Sequence, residues 1–134
     1  MNEISRKAGL EIDRLTLAVV RQKLLSVSEE IVETMVRTCF SPLLNQSRDL
    51  SAVVLDGDAQ VVAQAERTPI HMGAMPFAVR AMAKDFYGRV GPDDVIMAND
   101  PYWGGSHLPD ITLVKPVFRD DEIRFWVAIR AHQS

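Results

Sequence analysis

From Leu15 to Phe40 the apolar residues Leu17, Val20, Leu24, Val27, Ile31 and Met35 recur at spacings of three or four. That period marks one face of a long amphipathic helix, about 39 Å at 1.5 Å per residue. Asp13 stands where an N-cap belongs, and Phe40-Ser41-Pro42 closes the run. Proline restricts the residue before it and donates no amide, so a helix ends there. A stripe of this length needs a cover, from the rest of the chain or from a partner.

The period then changes. In "LSAVVLDGDAQVVAQA", Leu50 to Ala65, two β-prone runs flank Asp56-Gly57-Asp58. This predicts a β-hairpin with a loop of two to four residues. "ERTPIHMGAMP" reads as a loop, and a helix follows from about Pro76 to Tyr87 with Phe77, Val79, Met82, Ala83 and Phe86 on its apolar face. Proline suits the first turn of such a helix. "GPDD" turns the chain into "VIMAND", read as a short buried strand. Two longer strand-like runs, "ITLVKPVF" and "EIRFWVAIRAH", are separated by the turn "RDDE". Helices and strands do not alternate regularly, so the expected class is α+β, with a mixed or antiparallel sheet. No linker or repeat divides the chain, which is therefore one domain or part of a larger one.

Composition narrows the function classes. The chain has 134 residues with 47% apolar and 25% charged, enough for a single core. A net charge of -3 with scattered signs argues against nucleic acid and against a polybasic membrane patch. No apolar run reaches the roughly 20 residues of a membrane span. The stretch "MNEISRKAGLEIDRL" has no secretory core, and the lone Cys39, read as a small core residue, allows no internal disulfide. The expected location is cytoplasmic.

Candidate chemistry gathers in "NDPYWGGSHLPD", Asn99 to Asp110, which is poor material for a helix or a central strand. If the last two runs pair as a hairpin, Ile111 leads away from this loop and His132 returns to it. His107, Asp110 and His132 then converge. Two imidazoles and a carboxylate suit a divalent transition metal and leave coordination positions open. Gly104 and Gly105 permit close backbone approach, and Asp100 is placed to orient a ligand histidine. The competing reading is an ordinary turn in which Asp110 caps the next segment. His71, in "TPIHMG", is a weaker candidate, and Tyr102 and Trp103 read as loop-packing aromatics. "WGGS" opens no helix, so a phosphate loop has no support.

The ordered motifs "RTCFSP", "RDLSAVVLDGDAQVVAQA", "PIHMGAMPFAVRA", "NDPYWGGSHLPDITLVKPVF" and "RAHQS" closely resemble the start of the hydantoinase B/oxoprolinase family. This family includes N-methylhydantoinase B subunits, the C-terminal half of 5-oxoprolinase and the related subunit of acetone carboxylase. The resemblance runs from about Asp13 to Ser134. It implies that His107 and Asp110 of "HLPD" and His132 of "RAH" hold a divalent metal, manganese in acetone carboxylase. It does not distinguish Mn, Zn and Fe here. His71 and Asp100 fall in shared motifs and become pocket candidates without an assigned role.

The resemblance also implies an ATP-dependent hydrolase that opens a cyclic amide such as a hydantoin or 5-oxoproline. ATP would be bound by a separate hydantoinase A-like subunit rather than by this chain. Two alternatives stay open: a ketone carboxylase of the acetone carboxylase kind, and a shortened, inactive subunit that serves as an interaction module. Members of the family run to several hundred residues, so these 134 are expected to form an N-terminal portion. His132, two residues from Ser134, stands where a strand is expected to fray. Uncovered edges and the long helix suggest self-association.

Overall fold

The computed structural model describes residues 13–65 and 69–133, without the side chains of residues 69–72. The leader reading of residues 1–12, the His71 side chain and Ser134 lie outside the described residues. Helix α1, Arg14–Thr38, begins where the capping residue was expected. The Asp13 carboxylate accepts the amides of Leu15 and Thr16 at 2.8 and 2.9 Å. The Thr16 hydroxyl, its amide and that of Leu15 hold this carboxyl below its usual range. At the other end Cys39 turns extended, and Pro42 opens the short helix α2, Pro42–Asn45. Cys39 is half-buried against the core beneath α1.

Strands β1, Leu50–Asp56, and β2, Val61–Gln64, form the expected hairpin. Its four-residue loop folds around Asp56, whose Oδ1 accepts the amides of Asp58 and Gln60. Helix α3, Pro69–Phe86, begins earlier than the sequence predicts and carries Pro76 inside it. From Pro69 onward the segment read as a loop is thus helical. Proline removes one amide from the ladder, but Met75, Ala78, Val79 and Met82 are wholly buried on the sheet, and tertiary burial outweighs that local loss.

The remaining strands are β3, Ile96–Ala98, β4, Asp110–Arg119, and β5, Glu122–His132, with a single 3-10 turn at Pro101–Trp103 before β4. Sheet order is β2-β1-β5-β4-β3, and every neighbouring pair is antiparallel. The chain is therefore α+β, as expected, with the antiparallel option realised. β3 lies at the edge, which leaves Met97 exposed and corrects its reading as a buried strand. Asp120 and Asp121 turn β4 into β5 with φ of 54° and 59°. Two left-handed residues in a row give the hairpin turn that matches strand twist, and aspartate tolerates that region.

Alternation along the strands divides the core between two faces. Val53, Leu55, Val114, Trp126 and Ala128 pack with α3. Leu50, Ala52 and Ala131 pack with Val32 of α1 and Leu44 of α2. Burial along α1 is concentrated in its C-terminal half: Ser28 and Val32 are buried and Leu24 and Leu25 partly so, whereas Leu15, Leu17, Val19, Val20 and Val27 are exposed. The expected stripe through Leu17, Val20 and Val27 is corrected in this respect. A 25-residue helix of about 38 Å outruns a seven-residue β1 of about 23 Å. Val32→Ala should therefore cost about 2 kcal/mol and Val20→Ala less than about 0.5 kcal/mol. Denaturant unfolding of the two variants measures the difference.

Candidate metal centre

The site is built by strand register. β4 pairs with β5 so that Asp110 faces His132, Thr112 faces Arg130, Val114 faces Ala128 and Pro116 faces Trp126. Side chains two apart share a face of a sheet, so all eight belong to the face covered by α3. One end of this row is apolar, with Trp126, Ala128 and Val114 in the core. The other end is ionisable.

The loop before β4 brings the third group. Asp100 caps the 3-10 turn, its Oδ1 accepting the Tyr102 amide at 2.8 Å and its carbonyl accepting from Trp103 and Gly105. Gly104 has φ of 83°, and a Cβ there would stand 2.6 Å from the amide nitrogen of Ala78 on α3. At Gly105 a Cβ would meet the Asp100 carbonyl oxygen at 2.8 Å. The glycines thus let the loop lie against the helix and against itself. Asn99 completes the closure, its Nδ2 donating to the Leu108 carbonyl at 2.9 Å.

At the mouth of this loop Asp110 is 1% exposed. Its Oδ1 lies 3.1 Å from Nδ1 of His132, and its Oδ2 lies 3.1 Å from Nδ1 of His107. The Ser106 hydroxyl donates to the same Oδ2. The two imidazole rings stand 4.9 Å apart, tilted by 58°. One ligand atom from each of the three residues falls within 4.8 Å of the others. The His107 side chain is 53% exposed and that of His132 24%, so the cluster opens to solvent on the His107 side. Donors of this type and spacing can converge on a single divalent cation.

The structure brings His107, Asp110 and His132 together. Gly104 and Gly105 shape the loop beside them. Asp100 spends its side chain on the turn rather than on either imidazole. Trp103 packs partly into the loop, but Tyr102 is 98% exposed, which corrects its reading as a packing residue. At His132 the backbone is hydrogen-bonded: its amide donates to the Asp49 carbonyl and that of Gln133 to the Pro109 carbonyl.

Two residues escaped the sequence reading. Ser106 was one position from a named histidine and carried no signal of its own. Arg130 did carry one, because it shares its strand face with Trp126 and Ala128, where a charge interrupts a core-facing row. Burial pushes its guanidinium below the usual value, and the Asp110 carboxylate opposes that shift. A cleft of about 520 Å³ lies at the opposite end of the sheet, between Asp56, Tyr87, Phe118 and Arg124. Among the described residues no histidine or cysteine lines it, so the His-Asp-His cluster is the better candidate for metal chemistry.

Comparison with known proteins gives this geometry a setting. The family model described as hydantoinase B/oxoprolinase matches residues 13–134. The chain belongs to this family. A 5-oxoprolinase of Dictyostelium discoideum is 33% identical over 130 residues, covering 97% of the chain and 10% of that protein. Caprolactamase subunit beta of Pseudomonas jessenii is 35% identical over 121 residues, covering 90% of the chain and 21% of the subunit. The crystal structure of ATP-dependent caprolactamase from the same organism superposes with a TM-score of 0.85 at 34% identity, over 92% of this chain and 21% of that one. Acetone carboxylase in its nucleotide-free structure shares the fold, with a TM-score of 0.74 at 23% identity, over 96% of this chain and 19% of that one. The first curated relatives are far longer, and the chain spans between 9% and 22% of their length.

Within this hydantoinase B-type fold the glycine loop is the most exacting local geometry beside the cluster. Gly104→Ala meets both a left-handed φ and the backbone of Ala78. It should destabilise the chain by about 2 kcal/mol or more, with amide exchange accelerated in residues 101–109, as measured by mass spectrometry.

Proposed function

We propose that the chain is the N-terminal part of a hydantoinase B-type hydrolase and holds a divalent metal through His107, Asp110 and His132. The observation that carries this reading is a buried carboxylate whose two oxygens each face a different imidazole at 3.1 Å. The donor set fits the group: two nitrogen ligands and one oxygen ligand, of which His107 is open to solvent. Bound there, a divalent cation would supply Lewis-acid polarisation of a substrate oxygen. The protein's own residues have separate tasks. Asp110 presents its carboxylate from the sheet between the two imidazoles, Ser106 fixes the carboxylate's Oδ2, and His107 faces the side from which a small molecule can approach. Mn, Zn and Fe all suit such ligands.

The substrate class is a cyclic amide of the hydantoin, lactam or 5-oxoproline kind. Relatives named 5-oxoprolinase and caprolactamase support it. An unstrained amide resists hydrolysis, which accords with the ATP dependence of the Pseudomonas jessenii caprolactamase. We place ATP on a hydantoinase A-like partner subunit; the name "subunit beta" of one relative supports a multi-subunit assembly. The acetone carboxylase fold likeness keeps ketone carboxylation as an alternative chemistry for the same scaffold.

Calorimetric titration of the full chain with Mn(II) should give one binding event. His107→Ala and Asp110→Asn should each weaken it by at least about 100-fold, beyond the range usual for supporting residues. Equal binding by wild type and both variants would overturn the ligand assignment.

A second reading is favoured by the exposed Leu15, Leu17, Val19 and Val20 on α1. In it the chain is an interaction module that docks on the hydantoinase A-like subunit and carries no activity of its own. Light scattering should then report a complex with that subunit, and Leu17→Asp with Val20→Asp should abolish it. A monomer indifferent to the partner rules this reading out.

A further inference from the structure

Arg130 is a cation with no exposed surface, 0%. Its Nε donates to the Thr112 hydroxyl at 2.8 Å, and its Nη2 donates to the Gly104 carbonyl at 3.2 Å. Its Nη1 is buried with no hydrogen-bond partner among the described residues. Burying a charge costs free energy that the nearby Asp110 carboxylate and two hydrogen bonds recover only in part, and a packed apolar side chain generally serves a fold as well. Stability therefore does not account for an arginine here. Recognition of an anion does not either. The cavity beside Arg130, lined by Asn99, Asp100, Trp103, Gly105 and Thr112, has no room for a water-sized molecule.

What the guanidinium does is join two elements distant in sequence. Thr112 lies on β4, two residues beyond Asp110 and opposite Arg130 in the register. Gly104 lies in the loop three residues before His107, against α3. We propose that Arg130 is a positioning residue that clamps the glycine loop to the sheet and so holds Ser106 and His107 over Asp110. The consequence for cation binding rests on the metal reading above; the clamp itself does not. Arginine suits the task because a planar fork reaches two acceptors at once in fixed geometry, whereas an ammonium on a flexible stem does not.

Hydrogen exchange by mass spectrometry over residues 101–109, with Mn(II) binding followed by electron paramagnetic resonance, tests this on the full chain. The proteins compared are wild type, Arg130→Lys, Arg130→Met and Thr112→Val. Expected are loop exchange at least about 10-fold faster and Mn(II) affinity about 10- to 100-fold weaker in both Arg130 variants. Exchange in β1 and β5 should stay as in wild type, and Thr112→Val should fall between wild type and the Arg130 variants. Wild-type loop exchange in the Arg130 variants would overturn the proposal. So would acceleration spread evenly over sheet and loop, which marks a merely structural role. If Arg130→Met fails to fold, Arg130→Lys and Thr112→Val decide by the same readout. If wild type binds no Mn(II), the metal reading fails, and loop exchange alone decides the clamp. Faster loop exchange with unchanged Mn(II) affinity overturns the link to the cation.

Discussion

Asp110 is a carboxylate held out of water at the first residue of a strand, and the loop around it is arranged to satisfy it. A buried carboxylate needs donors, and among the described residues they include His132 across the strand pair, His107 from the loop and Ser106 beside it. The antiparallel register of β4 on β5 is what sets Asp110 opposite His132. A slip of one residue would turn Asp110 and its whole row to the other face of the sheet. The apolar members of that row, Trp126, Ala128 and Val114, resist such a slip because they are buried under α3. Core packing at one end of the row thus secures the Asp110–His132 pairing at the other.

Helix α3 serves both ends. Met75, Val79 and Met82 supply its core contacts, while the backbone at Ala78 forms the surface on which Gly104 rests. The interior Pro76 lies in the turn next to that contact. Across the sheet, α1 is joined to the chain before β1 by the Arg48–Glu33 ion pair at 2.8 Å and by the packing of Val32. Its N-terminal half extends beyond the sheet with aliphatic side chains in solvent. In a family whose members are several times longer, such a face suits contact with further protein.

Family membership and site geometry are independent arguments that meet at the same loop. The family model extends over residues 13–134, and the fold aligns with caprolactamase over 92% of the chain. Neither fact carries the chemistry of any one residue. The chemistry rests on the convergence of imidazole and carboxylate atoms within 4.8 Å, and on an opening to solvent beside His107.

Local pattern was enough for much of the architecture. The cap at Asp13, the stop at Pro42, the hairpin around Asp56 and the turn at Asp120-Asp121 depend on neighbours a few residues away, so the chain alone determined them. The pairing of the last two strands was also legible, because a short turn between β-prone runs leaves few alternatives, and it carried His107, Asp110 and His132 to one place. Tertiary contacts decided the rest. Helix α3 passes through Pro76 because burial of Met75 and Val79 on the sheet outweighs a missing amide. Half of α1 stays uncovered because the strands beneath it are short. Arg130 enters the core because the acceptors that receive it, Thr112 and Gly104, are 18 and 26 residues away in sequence and meet only in the fold.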